Sequence, residues 1–432
     1  MRSQKGIDRP MRIAIAMWTK ALIGGAETYV EQALAGLRAA GHNVALLTEV
    51  EARDTGKPPC DLPPDVPAWC IETDGEKSAF ARLAAWKPDL IYDQSLYSIE
   101  YVRRLQRMAP SILYAHNYYG ACISGGKLWA SPNYKCCERT LGWGCLLHYY
   151  PHRCGGRHPL RLISQFRTQI TRRDLLGDYR AIFVASRHMK LEYERLGVPD
   201  DRVRLLPYPI QRTMLERAAV GDSAGDIECR ADLLRDPTAP VRLLFVGRME
   251  GSKGGIQAID ALPAVSEQLA RPIELVLCGD GSQRGLWAAR AEAVERSSPA
   301  VRVRFAGWQS KGELDAEYRS AQALLVPSLW PEPFGLVGLE AGLFGLPSVA
   351  FAVGGIPDWL RDGETGILAP ADRLDARPYG EAIVRLLRSP EAYRTCAAGA
   401  LQQARGWVGL PGHIAELERA FRNSLLEGNV AL

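Results

Sequence analysis

A chain of 432 residues is long enough for two or three domains, each with its own core. Its 47% hydrophobic and 24% charged residues are ordinary for a soluble globular enzyme, and a formal net charge of +4 is too small to argue for nucleic acid as a partner. The uncharged run from Ala341 to Pro357 is broken by Gly342, Gly345, Pro347, Gly354 and Gly355, whereas a membrane span needs ~20 mostly apolar residues without such punctuation.

Met1 to Pro10 reads as a short polar leader with no signal-peptide pattern, so a cytoplasmic protein is expected. Short apolar runs then alternate with helical patterns, as in parallel α/β sheets. Strands are predicted at Arg12–Met17, Asn43–Thr48, Asp89–Tyr92, Ser111–Ala115, Ala181–Ala185 and Val203–Leu206. Val30, Leu34 and Leu37 mark a helix after the first strand, which Gly41 can terminate. A polar, Ala-rich stretch from Gln211 to Pro240 reads as a helix plus linker. Strands resume at Val241–Val246, Glu274–Cys278, Val301–Phe305, Ala323–Val326 and Pro347–Phe351, and a helical stretch, His413 to Leu426, closes the chain. The expected layout is a first Rossmann-like domain (11–210), a linker (211–240), a second Rossmann-like domain (241–410) and a terminal helix (411–432), with a cleft between the domains.

Several loops between these elements can carry chemistry. Gly24-Gly25-Ala26-Glu27 lies between a strand and a helix, where glycines let backbone N–H groups approach a phosphate, or simply make a tight turn. Dinucleotide binding with Glu49 on the ribose is the weaker reading, because the G-x-G-x-x-G spacing is absent. His116 closes the Ser111–Ala115 strand, as either a cleft residue or a packing one. Between Cys122 and Cys154 fall five of the ten cysteines, with His148 and His152 among them, which defines a Cys-rich insert over 122–156. In a cytosolic-looking chain this density favours metal over disulfides, although adjacent Cys136 and Cys137 seldom ligate one ion together. Structural zinc needs four ligands, and Cys122, Cys136, Cys145 and Cys154 are candidates; free or redox-active thiols fit equally. From Arg157 to Arg180, Leu162, Phe166 and Ile170 recur at helical spacing among Arg161, Arg167, Arg172 and Arg173. That pattern fits a surface helix of the first domain, or a basic amphipathic helix lying on an anionic membrane.

In the second half, Val246-Gly247-Arg248 runs through a Gly-rich loop to Lys253-Gly254-Gly255, placing a guanidinium fork and a mobile ammonium together, as a diphosphate leaving group requires. Gly279 follows another buried strand, at the edge where α/β sheets bind ligands. Pro331-Glu332-Pro333-Phe334-Gly335-Leu336 then leads into Glu340: two carboxylates eight residues apart, one on a loop stiffened by proline and one in an apolar helical pattern.

That last string, EPFGLVGLEA, resembles the E-x7-E motif of the retaining GT4-family glycosyltransferases (glycosyl transferases group 1), and Arg248 with Lys253 is similar to the family's G-R-x-x-x-x-K-G loop. The resemblance implies the GT-B fold, two Rossmann-like domains facing a central cleft with a C-terminal helix crossing back to the first. It also implies transfer of a sugar from a nucleotide-diphosphate sugar to an acceptor hydroxyl, in polysaccharide or glycolipid assembly. Carried over by position, Arg248 and Lys253 bind the donor diphosphate, Glu332 lies at the sugar, Glu340 holds the ribose, and His116 contacts sugar or acceptor. Gly24, Gly25, Gly279, Phe334, Gly335 and Leu336 line the donor site. No dication is required for catalysis, the nucleotide base stays open, and a lipid-linked acceptor would bring peripheral contact with the inner face of the membrane. Alternatives are a GT-B sugar-nucleotide epimerase and a non-catalytic sugar-binding relative.

Overall fold

A computed structural model describes residues 9–21, 24–51, 59–131, 133–156 and 158–427. The leader up to Asp8, Arg157 of the basic stretch and the last residues of the terminal segment lie outside them. The first half contributes β1 (Arg12–Thr19), β2 (Asn43–Val50), β3 (Ala68–Cys70), β4 (Leu90–Asp93) and β5 (Ser111–Ala115), then a small antiparallel hairpin of β6 (Leu128–Trp129) and β7 (Lys135–Cys136), then β8 (Ala181–Val184) and β9 (Val203–Leu205). All but the hairpin form one parallel sheet in the order β3-β2-β1-β4-β5-β8-β9. Parallel strands are covered on both faces, and β1 shows how its sequence serves both. Ile13, Ile15 and Met17 pack on one side with Val30, Leu34 and Leu37, while Ala14 and Ala16 face the other side with Leu83 and Ile91.

The second half forms β10 (Val241–Val246), β11 (Ile273–Cys278), β12 (Val301–Gly307), β13 (Ala323–Val326), β14 (Ser348–Phe351) and β15 (Gly366–Ala369), parallel and ordered β12-β11-β10-β13-β14-β15. The segment expected as helix plus linker holds two helices, Arg212–Ala219 and Ser223–Leu233, and both pack on this second body. Met214, Ala218, Ile227 and Ala231 join its core. Arg230, fully buried, donates to the carbonyls of Tyr318, Arg319, Phe344 and Gly345, so its charge is met by oxygens rather than by a carboxylate.

The chain crosses between the bodies at two adjacent places. Ile210 bridges Gly409, and the Trp407 indole N–H donates to Tyr208 O at 3.0 Å. The helix Leu410–Glu427 then lies on the first domain, as expected, with Ile414, Leu417, Ala420 and Phe421 in the same cluster as Ile13 and Ile15. His42 Nε2 meets Glu418 at 2.9 Å at its rim.

Candidate active site

Residues just past the carboxyl ends of β5 and β8 meet residues just past those of β13 and β14 at the interdomain cleft, the edge where parallel α/β sheets place ligands. Three contacts close one end of it. The Tyr118 hydroxyl donates to Pro331 O at 2.8 Å, Arg187 pairs with Asp358 at 2.9 Å, and Gly355 packs against Ser186. A separate hollow of about 480 Å³ lies at the opposite, amino-terminal edge of the first sheet, between Arg107, Arg180 and Arg202; none of the motif residues line it.

Glu332 is the centre of the second domain's wall. It is only 6% exposed, and its Oε1 accepts from Lys253 Nζ at 2.5 Å and from Ser328 Oγ at 2.5 Å. Burial pushes its pKa upward, but the charge and hydrogen bond of Lys253 and the bond from Ser328 outweigh it, so the carboxyl sits below its usual range. Sequence placed Lys253 at the diphosphate and Glu332 at the sugar; in the fold they hold each other. The loops carrying them are tied by Leu329 N–H donating to Ser252 O at 2.8 Å. Two glycines make that approach possible. At Gly254, φ is +70° and a Cβ would stand 1.8 Å from Pro327 O; at Gly354, φ is +57° and a Cβ would stand 2.4 Å from Glu332 O. Gly355 N–H, next in the chain, donates to Glu332 O at 2.7 Å.

Glu340 lies half-buried in the helix Val337–Leu343. Burial raises its pKa to about 7, against the opposing charge of Arg217, which is itself fixed by a two-pronged pair with Asp315 at 2.8 and 2.7 Å. The Phe334 ring is buried against Tyr208 and Trp407, and its carbonyl accepts from Trp359 Nε1 at 2.6 Å. Gly335 backs onto Trp359, and Leu336 precedes the Glu340 helix. Gly279 leaves β11 with its N–H on Gly307 O at 2.7 Å, beside the Gly247 turn. Arg248 is exposed at the end of β10 and acts electrostatically on Glu27 across the cleft. Glu27 in turn accepts from Gly24 N–H at 2.8 Å, ordering the start of the helix Gly25–Ala39; residues 22–23, at the start of that loop, lie outside the described ones.

His116 is at the strand end where sequence placed it, with both ring nitrogens already engaged. Nε2 lies 2.9 Å from Gln94 Oε1 and Nδ1 2.6 Å from the Tyr208 hydroxyl. A proton on Nε2 satisfies both, with the amide oxygen accepting and the tyrosine donating. Burial lowers the His116 pKa to about 3, so the imidazole is neutral at physiological pH. Tyr208, Ser328, Tyr118 and Arg217 carry no motif, and no sequence signal singles them out; Ser328 arrives with the Glu332 loop four residues on, and long-range packing brings the other three.

In the insert, Cys122, Cys145 and Cys154 line one small cavity, as the candidate ligand set required, but the partner from the adjacent pair is Cys137. Cys136 points the other way, its thiol donating to Leu329 O at 3.8 Å. Strand alternation explains the correction, since neighbours in an extended chain face opposite sides. The stripe Leu162, Phe166 and Ile170 of the helix Pro159–Leu175 packs on the insert, with Ile123 and Tyr149.

Two family models match in tandem: "Glycosyl transferase 4-like domain" over residues 24–209 and "Glycosyl transferases group 1" over residues 231–403. Among characterised relatives, a D-inositol 3-phosphate glycosyltransferase of Actinosynnema mirum is 36% identical over 185 residues, covering 42% of this chain and 43% of that protein. A glycogen synthase of Mycobacterium tuberculosis is 36% identical over 173 residues, 39% of each chain. The chain thus spans about two-fifths of the length of these relatives. Whole-fold similarity extends further. Sucrose-phosphate synthase from Thermosynechococcus elongatus superposes with a TM-score of 0.68 at 21% identity, over 96% of this chain and 100% of that one. Anabaena HepE in complex with UDP gives 0.62 at 16%, over 98% and 100%. The tandem match and the two facing parallel sheets place this chain in the group 1 glycosyltransferases of GT4 type, with the GT-B fold.

Proposed function

We propose that the protein moves a hexose from a UDP-sugar to an acceptor hydroxyl, with retention at the anomeric carbon. The observation that carries this is the Lys253–Glu332–Ser328 cluster, a buried carboxylate kept ionised by a lysine at the carboxyl edge of the second sheet, with exposed Arg248 on the neighbouring loop. Solved neighbours described in complex with UDP and with UDP-glucose support uridine as the first base to try.

In this reading the acceptor oxygen attacks C1 on the face from which the diphosphate departs. The C1–O phosphate bond breaks, and a phosphate oxygen takes the acceptor proton. Arg248 and Lys253 neutralise the charge growing on the leaving diphosphate, preorganised so that no water need reorient. Lys253 is already 2.5 Å from Glu332, so donor binding shares that ammonium between carboxylate and phosphate. Glu332 steadies positive character at the sugar, and Glu340 accepts from the ribose hydroxyls. Neutral His116, with both nitrogens engaged by Gln94 and Tyr208, is a packing wall of the sugar site rather than a proton donor. Gly24 and Gly25 bring backbone toward the donor phosphates or the acceptor.

The acceptor is a sugar or a lipid-linked sugar. Among the described residues no helix is long and apolar enough to cross a membrane. Trp143 and Leu147, each 78% exposed, and exposed Leu160 on the basic helix that carries Arg161 support peripheral contact with an anionic surface. A thermal-shift series with UDP, GDP and ADP, followed by transfer from the matching sugar nucleotides, tests the reading. UDP should stabilise most, and Lys253→Ala should lower kcat by about 10²-fold or more. Full transfer activity in that variant would overturn the diphosphate assignment, and release of an epimerised sugar nucleotide would favour an epimerase instead.

A further inference from the structure

The insert between β5 and the helix Pro159–Leu175 takes no part in the donor site just described, yet it concentrates unusual features. Cys122, Cys137, Cys145 and Cys154, all free thiols, line one cavity of about 20 Å³ together with Arg139 and His148. A single water needs about 10–15 Å³, so the space suits one ion and not a cluster. The backbone around it is held in a demanding shape. Lys127 (φ +49°) and Arg153 (φ +49°) are non-glycine residues in the left-handed region, each beside part of this thiol set. Such strain persists only where the surroundings over-determine it.

Lys127 is fixed from three sides. Its N–H donates to Cys122 Sγ at 3.3 Å, and its ammonium pairs with Glu192 at 2.6 Å and donates to Arg139 O at 2.7 Å, almost wholly out of water. Ser124 Oγ adds a second contact to Cys122 Sγ at 3.5 Å. Donors aimed at sulfur, and positive charge from Lys127 and Arg139 nearby, are what a metal-bound thiolate set needs around it.

We propose that Cys122, Cys137, Cys145 and Cys154 form a four-thiolate site for one zinc-class divalent ion, which sets the hairpin β6–β7 against the donor loop of the second domain. Among the described residues no three ligating side chains yet close on a common point. The four thiols line one cavity, and a bound ion would draw them in to Zn–S distances of ~2.3 Å. Four sulfurs in a tetrahedral set select zinc or an iron–sulfur centre, and a single-ion cavity leaves no room for a cluster.

The hairpin makes the site consequential. Cys137 N–H donates to Lys127 O at 2.7 Å, continuing the hairpin into the thiol cluster. On its other face Cys136 contacts Leu329 O, and the Tyr134 hydroxyl stands 3.9 Å from where a Cβ on Gly251 would be. Gly251 begins the turn that ends in Lys253. The ion would therefore stiffen a flap over the diphosphate loop, a consequence that rests on the functional reading above, whereas the metal site itself does not.

Metal analysis of the full chain, purified under reducing conditions after growth with zinc, separates the two. About one zinc per chain is expected in the unmodified protein and in Cys136→Ser. Cys137→Ser and Cys154→Ser should lose at least the ~10-fold in affinity that losing a mere outer-shell partner costs. Should those variants fail to fold, cobalt reconstitution of the unmodified protein serves, with a thiolate-to-cobalt charge-transfer band and tetrahedral d–d bands as the expected signature. Absence of metal and of that band, disulfides among the four cysteines, stoichiometric iron with labile sulfide, or zinc lost from Cys136→Ser but kept in Cys137→Ser would each overturn the proposal. Zinc bound without any effect of chelation on the KM for donor would leave the metal site standing and remove the flap.

Discussion

Glu332 and Glu340 are the same residue type eight positions apart, and their surroundings push them in opposite directions. Glu332 is buried but meets an ammonium and a hydroxyl; Glu340 is half-buried with only the charge of Arg217 to favour its ionised form. A group whose folded pKa is raised contributes stability that is full below its unfolded value and is lost as pH rises through the folded one. For Glu340 that window runs from 4.5 to about 7. Glu340→Gln should therefore match the parent in thermal unfolding at pH 4.5 and exceed it at pH 8, by about 1–2 kcal/mol once solvent screening is allowed for. The same variant should bind donor more weakly at pH 8, since a neutral amide is a poorer acceptor for ribose hydroxyls. A melting difference that does not change with pH would show that burial of the charge is not what sets its pKa. Spacing in the sequence marked both glutamates. It could not tell which one has a cation at 2.5 Å, because Lys253 is remote in the chain.

At the scale of elements, the site depends on loops that approach until backbone meets backbone. Gly354 is the clearest instance: φ of +57° and a Cβ position 2.4 Å from Glu332 O leave no room for a side chain. Gly354→Ala should shift the Pro331–Pro333 loop and with it the Glu332–Lys253 pair, at a cost of about 1–3 kcal/mol. We expect kcat/KM to fall by about tenfold or more with only a modest drop in Tm, as steady-state kinetics and calorimetry together would show. Unchanged kinetics would mean the loop tolerates the displacement. Gly354 and Gly355 were visible as breaks in an uncharged run; what they press against was not. Likewise the two strands of the hairpin β6–β7 carried no readable pattern, being two residues each, and so the facing of Cys136 and Cys137 was missed.

At the scale of the molecule, the C-terminal helix fastens the second domain's end to the first domain's core. His413, fully buried, donates from Nδ1 to Pro207 O at 3.1 Å and accepts at Nε2 from the Tyr29 hydroxyl at 2.9 Å, directly beside the crossover at Tyr208. Phe421, also fully buried, sits with its ring 5.1 Å from that of Tyr92 on β4. Phe421→Ala should cost about 3–5 kcal/mol, felt chiefly in the first domain. Hydrogen exchange should therefore quicken at the β1 and β4 amides while β10 and β11 stay protected. Uniform loss of protection in both sheets would mean that the domains unfold as one unit.

Local pattern settled a good deal. Alternating apolar runs and helical periods specify two parallel sheets, because strands buried on both faces must be apolar throughout. The loops rich in glycine, arginine, lysine and glutamate mark where we propose that anions and hydroxyls are met, because the chemistry of a diphosphate leaving group admits few side chains. Tertiary structure alone decided that Lys253 binds Glu332, that His116 is held neutral between Gln94 and Tyr208, that the helices after Gln211 belong to the second body, and that Cys137 replaces Cys136 in the thiol cluster. Each of these depends on burial and on partners far along the chain. A pKa, a tautomer or a ligand set follows from how much water and how much charge surround an atom, and periodicity carries no record of either.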